Sequence, residues 1–163
     1  MSDKVVEAIL LAIGSEIDAH DFYLSLATRV VNPEAKQKLE ELARAEQSHR
    51  RLLEKRFETA TGKPVDAQLI EGSGELRKAL ERANLSMKSD VLEVVEQAIK
   101  GEQAASEFYK KQGMETLDPE IKALYLELSQ EESQHKAILE GEYKALVASM
   151  YWFEAVTSRS LED

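Results

Sequence analysis

The chain has 163 residues, 43% apolar and 32% charged, enough to bury one domain's core, and this excludes a disordered or membrane-embedded chain. Acidic residues number 31 against 21 basic ones, and the net charge of −10 disfavours nucleic acid as a partner while attracting metal cations. No cysteine occurs, so disulfides, thiolate zinc sites, iron–sulfur centres and a cysteine nucleophile are all excluded.

At the N-terminus, the apolar run in MSDKVVEAILLAIGSEIDAH is broken by Glu7 and Glu16, and no small-residue cleavage site follows. Neither a signal peptide nor a membrane span is expected, which makes the cytoplasm the expected location. A first helix is predicted over residues 3–31, with Val6, Ile9, Ile13, Glu16, His20, Tyr23, Ala27 and Val30 spaced three or four apart on its inner face. Asn32-Pro33-Glu34 then reads as a helix start, with a capping side chain, a proline in the first turn and an acid beside the positive end of the helix dipole. The second helix, over 33–60, turns Leu39, Leu42, Glu46, His49 and Leu53 inward. Thr61-Gly62-Lys63-Pro64 and Glu71-Gly72-Ser73-Gly74 break the pattern, and a short helical piece is expected over 75–81.

A third helix over 88–117 carries Leu92, Val95, Ile99, Glu102, Ser106 and Tyr109 inward. Asp118-Pro119-Glu120 repeats the start signal for a fourth, over 119–148, with Leu128, Glu132, His135 and Leu139 on its inner face. Two tight connections, one long one and no strand alternation predict an all-α protein. The expected fold is an antiparallel four-helix bundle over 1–148, made of two hairpins joined by a long crossover. The remaining tail, 149–163, is apolar at Met150-Tyr151-Trp152-Phe153 and then acidic. It is expected to pack on the bundle or on a second subunit, which makes a homodimer the expected assembly.

The two hairpins repeat each other. Shifting the sequence by 86 residues aligns 12–54 with 98–140 without a gap, and 15 of those 43 positions are identical. Among the matched pairs are Glu16/Glu102, Tyr23/Tyr109, Glu46/Glu132 and His49/His135, whereas His20 meets Ser106. Glu16 and the Glu46/His49 pair lie at similar distances from the first turn, about 23 Å at 1.5 Å per residue, and the second hairpin gives the same count. Four carboxylates and two imidazoles are therefore expected in one layer of the core.

Four buried carboxylates cannot all remain ionised without partners, since desolvation and mutual repulsion cost several kcal/mol each. No Lys or Arg occupies the neighbouring inner positions. Two divalent ions would balance the charge, and this donor set of carboxylate oxygen and imidazole nitrogen suits iron or manganese. A single Glu-x-x-His is a weak signal in so acidic a chain. Two in repeat register, level with two further carboxylates, match the ligand set of di-iron and di-manganese bundles. His20 is expected to pack with its nitrogens satisfied, while Glu41, Glu54, Glu127 and Glu140 fall off the inner face and are expected in solvent or in ion pairs.

These residues resemble the ferritin-like superfamily, and within it the rubrerythrin di-iron domain without its rubredoxin extension. AIGSEIDAHDFY and AIKGEQAASEFY resemble the first-helix signature, and LARAEQSHRRLLE and LSQEESQHKAILE the Glu-x-x-His helix. The resemblance spans about residues 3–148. It implies Glu16 and Glu102 as terminal metal ligands, Glu46 and Glu132 as bridges, and His49 and His135 as one ligand to each ion. Tyr23 and Tyr109 are implied as hydrogen-bond donors to the ligating carboxylates. Where rubrerythrins carry a further glutamate one turn after the third-helix ligand, this chain has Ala105, which implies a more symmetric centre.

The implied cofactor is two Fe ions per chain, with Mn or Zn as possible substitutes. No haem is expected, because no methionine lies in the second helix. The implied activity is that of a non-haem di-iron oxidoreductase acting on hydrogen peroxide or dioxygen, most simply a peroxidase. With no cysteine in the chain, its electrons would come from an external donor protein. A ferroxidase or iron-handling protein and a metal-stabilised structural bundle share the same ligands and remain the alternatives at this point.

Overall fold

The computed structural model describes residues 3–30, 32–70, 74–83 and 88–148. Among them are five α-helices: α1 (Asp3–Ala27), α2 (Pro33–Thr61), α3 (Glu75–Arg82), α4 (Lys88–Glu115) and α5 (Pro119–Ala148), with a single 3-10 turn at Ala67–Leu69. The four long helices form the expected bundle, of ferritin-like type. The expected apolar-then-acidic tail, 149–163, lies outside the described residues.

Both predicted helix starts are built from side-chain caps. Asn32 holds an extended conformation, and its side-chain oxygen accepts from the amides of Glu34 and Ala35, each at 3.0 Å. Its repeat partner Asp118 accepts from Glu120 at 2.9 Å and Ile121 at 3.0 Å. At the far end of α2, Gly62 takes a left-handed φ of 71° and donates to Glu58, closing the helix in a conformation that favours glycine.

α1 stops at Ala27, short of the predicted 31. After it the Arg29 amide bonds to Leu26, three residues back, so the turn tightens before the chain straightens to deliver Asn32 as a cap. α4 likewise ends two residues before the predicted boundary. Its buried face is also rotated: Val91, Val94, Val95 and Ala98 are covered, whereas Leu92 and Ile99 are only half-buried.

α1 packs along α2, and α4 along α5, as two antiparallel hairpins. Arg56 near the end of α2 binds Asp118 and Glu120 at the start of α5, both at 2.7 Å. Lys38 near the start of α2 bridges Glu34 and, near the end of α5, Glu142. These two contacts fix α2 antiparallel to α5. α3 is wedged against both α1 and α4. The Gly74 amide donates to Asp18 at 2.8 Å, and Arg29 donates to the Leu80 carbonyl at 3.2 Å, so both ends of α3 are tied to the first hairpin.

The apolar interior falls into two clusters on either side of a polar layer. One gathers Leu26, Leu39, Leu80, Val95 and Leu139 with their neighbours. The other gathers Ile9, Ile13, Leu53, Tyr109, Ile121 and Tyr125. Between them lie the carboxylates and imidazoles.

Candidate metal centre

Six of the residues singled out in the sequence meet in that layer. Glu16 comes from α1, Glu46 and His49 from α2, Glu102 from α4, and Glu132 and His135 from α5. The three-residue spacing within each Glu-x-x-His puts both donors on one helix face. All six are buried, with His135 the most exposed at 7%.

Their donor atoms form two overlapping sets: Glu16, Glu46, His49 and Glu132 in one, and Glu46, Glu102, Glu132 and His135 in the other. Within each set the atoms lie within 4.8 Å of one another. Glu46 and Glu132 belong to both, so they stand between two positions, each completed by one further glutamate and one histidine. The imidazole rings stack with centroids 5.4 Å apart.

The Nδ1 atom of His49 lies 2.9 Å from Glu132 and 3.4 Å from both Glu16 and Glu46. The Nδ1 atom of His135 lies 3.0 Å from Glu46 and from Glu132. Despite this crowding, Oε1 of Glu46, Oε1 of Glu132 and Nδ1 of His49 make no well-directed hydrogen bond among the described residues. Buried polar atoms left without a partner are costly, roughly 1–3 kcal/mol each. Donors converging with their lone pairs unspent are what a cation needs, and the set fits hard divalent ions.

Electrostatics divides the six into three kinds. Burial, with repulsion from the other carboxylates, raises Glu16 and Glu102 well above the ordinary carboxylate range. Burial would raise Glu46 too, but the imidazoles of His135 and His49 beside it overcome this and hold it at about 2, and Glu132 is lowered for the same reason. Burial opposes charge on the histidines, yet their carboxylate partners prevail, lifting His135 to about 9 and His49 further still. Without metal, burial thus favours protons on Glu16 and Glu102, and the surrounding carboxylates favour protons on the two imidazoles.

The tyrosines cross between the hairpins. Tyr23 of α1 donates to Glu102 of α4, and Tyr109 of α4 donates to Glu16 of α1. Burial first, then the nearby carboxylates, raises both phenols well above their ordinary value, so each keeps its proton and acts as a donor. His20 lies outside the cluster and is satisfied there, with Nδ1 donating to the Ala43 carbonyl at 2.8 Å. Its repeat partner Ser106 makes the corresponding bond to the Ser129 carbonyl, also at 2.8 Å. Glu54 and Glu140 pair within their own helices with Arg50 and Lys136, and Glu41 accepts from Gln37.

Two residues escaped the sequence reading. Glu131 accepts from Nε2 of His49 at 2.5 Å, the nitrogen turned away from the cluster. Its repeat position is Ala45, so His135 has no carboxylate counterpart there. Tyr125 stacks on Tyr109 with centroids 5.8 Å apart, and its buried hydroxyl has no partner among the described residues. Burial pushes that phenol up to about 12. Glu131 was hidden because it lies beside the inner face of α5 and only the approach of α2 makes it a partner.

No helix among the described residues is long and apolar enough to cross a membrane. A search of curated proteins found no match. Among solved structures, a hypothetical protein from Pyrococcus furiosus shares the fold with a TM-score of 0.70 and 27% identity, over 88% of this chain and 90% of that one. The rubrerythrin family profile matches residues 7–88 and 93–153, which together take in both hairpins and all six clustered side chains. The chain belongs to the rubrerythrin family.

Proposed function

We propose that the chain is a di-iron oxidoreductase that reduces peroxide, using electrons from a separate donor. The observation that carries this reading is the pair of overlapping donor sets sharing Glu46 and Glu132. Glu16 and His49 would hold one ion, Glu102 and His135 the other, and the shared glutamates would bridge them. Iron held there would supply the reducing electrons that peroxide cleavage consumes.

The chain's own residues prepare that chemistry. Tyr109 and Tyr23 orient Glu16 and Glu102 through donated hydrogen bonds that cross the bundle. The two apolar clusters enclose the layer above and below, which strengthens electrostatic interactions inside it. Histidine protons leave Nδ1 when that atom takes a ligand role, and His49 keeps its orientation through Nε2 and Glu131.

The test is anaerobic Fe²⁺ loading followed by desalting, with the wild type compared with Glu132→Ala. Two irons per chain are expected in the wild type, with loss of both in the variant because the shared ligand is gone. The loaded protein should then consume hydrogen peroxide faster than dioxygen and release water without accumulating ferric mineral. Preferential oxygen consumption with iron storage would replace this reading by ferroxidase activity, and retained metal without turnover would leave a structural bundle.

A further inference from the structure

Between α1 and α4, under α3, lies a half-open chamber of about 800 Å³. Its floor is formed by Glu16, Glu46, Glu102 and Glu132 with Tyr23 and Tyr109. Ala12 and Ala19 line it from α1, Ala98 and Ala105 from α4, and Leu76 and Ala79 from α3. Ala12 repeats as Ala98 and Ala19 as Ala105, so both walls are cut back at equivalent positions.

Hydrogen peroxide is little larger than water, whose share of liquid volume is about 30 Å³. The chamber is far larger than such a substrate requires and falls within the roughly 300–1,000 Å³ typical of pockets for organic ligands. Ser15 and Gln97 also line it, but between the mouth and the floor the walls are mainly alanine, leucine and Phe108, which offer water no hydrogen-bond partners and favour hydrocarbon as the filling. Exposed Arg82 and Lys100 share the mouth with Asp18 and Glu93, a mixture that selects neither charge sign. Discrimination therefore rests on the apolar body of the ligand.

From this geometry we infer that the substrate is an organic hydroperoxide, its hydrocarbon body in the α1/α4 chamber and its –OOH group against the carboxylate floor. This rests on the peroxide-reducing reading above and specifies its substrate class. The reaction is ROOH + 2e⁻ + 2H⁺ → ROH + H₂O. The O–O bond breaks, the reduced centre supplies both electrons, one proton goes to each oxygen, and the external donor restores the electrons.

Two measurements test it. The first titrates cumyl alcohol, the redox-inert product of cumene hydroperoxide, into the full metal-free chain by calorimetry. The second compares kcat/KM for cumene hydroperoxide and hydrogen peroxide in the iron-loaded protein. Saturable binding is expected, with cumene hydroperoxide preferred by about ten-fold or more, the scale on which apolar pockets discriminate. Filling the chamber by Ala105→Phe should abolish alcohol binding and lower that preference by about ten-fold. Ala79→Trp does the same from α3, so a folding defect in one variant does not remove the test.

Absence of alcohol binding in the wild type overturns the inference. So does a preference for hydrogen peroxide that neither filling changes, while peroxide reduction itself stands. If the iron-loaded protein reduces neither peroxide, the functional reading fails and the substrate assignment fails with it.

Discussion

His49 and His135 are repeat partners in unequal surroundings. His49 has Glu131 on Nε2 and three carboxylates near Nδ1, while His135 has two carboxylates near Nδ1 and Ala45 where a second Glu131 would stand. A carboxylate on the far nitrogen fixes the ring and raises its basicity, so the position completed by Glu16 and His49 should bind metal more tightly. Glu131→Ala is expected to weaken that position by about 10- to 100-fold, with Glu131→Gln restoring part of it. Competitive chelator titration checks this: two unequal steps in the wild type should draw together in the alanine variant.

The same residues set the acid–base behaviour of the metal-free protein. Glu46, lowered from 4.5 to about 2, contributes stability that is present above pH 4.5 and lost as pH falls towards 2, and lowered Glu132 acts in the same sense. Raised Glu16 and Glu102 contribute stability below pH 4.5 that is lost as pH rises. His135 holds its contribution below pH 6.5 and loses it by about 9. That last shift alone is worth about 3 kcal/mol. The cluster's contribution therefore peaks near pH 4.5 and falls faster above 6.5, where His135 joins the glutamates. Thermal melts of chelator-treated protein below and above pH 6.5 should show Tm falling with pH. The six clustered residues were legible because each occurs twice on an inner face. Which hairpin each tyrosine serves was not, since Tyr23 shares a helix with Glu16 but bonds to Glu102.

At the scale of elements, the caps at Asn32 and Asp118 could be read directly because the proline and the polar side chain act within a few residues. The early end of α1 was less legible, since nothing in Thr28-Arg29-Val30 breaks a helix outright and the demand to present Asn32 comes from the turn beyond it. α3 could be seen as a helical piece but not placed. Its position follows from Asp18 and Arg29, which are polar positions on α1 and the turn after it, with no local sign of a distant partner. Asp18→Ala removes the acceptor of the Gly74 amide and should free the start of α3. Hydrogen exchange across residues 76–83 is expected to quicken by about ten-fold, the equivalent of one charge-assisted hydrogen bond. The exchange rates of α2 should not change.

At the scale of the whole molecule, the repeat creates an approximate twofold relation that is broken in charge. Arg56 closes one end of the α2/α5 contact against Asp118 and Glu120. The repeat position of Arg56 is Glu142, so the other end needs its cation from elsewhere, and Lys38 supplies it. Each end thus joins one cation to two acids with different residues. Arg56→Ala and Lys38→Ala should each lower Tm, with the loss reduced at high salt because both contacts reach the surface. A salt-independent loss in either would contradict the ion-pair role. The antiparallel fold was legible from loop lengths and matching heights. The gap between α1 and α4 was not, because small residues such as Ala19 and Ala105 read equally well as close packing or as open space.

The tendency of the metal-free cluster to hold protons bears on how ions enter it. Protons favoured on Glu16, Glu102 and the two imidazoles offset the carboxylate charge gathered in the layer. Ions that take these donors displace those protons, so metal uptake is coupled to proton release and should strengthen as pH rises. Until an ion arrives, protons keep its place.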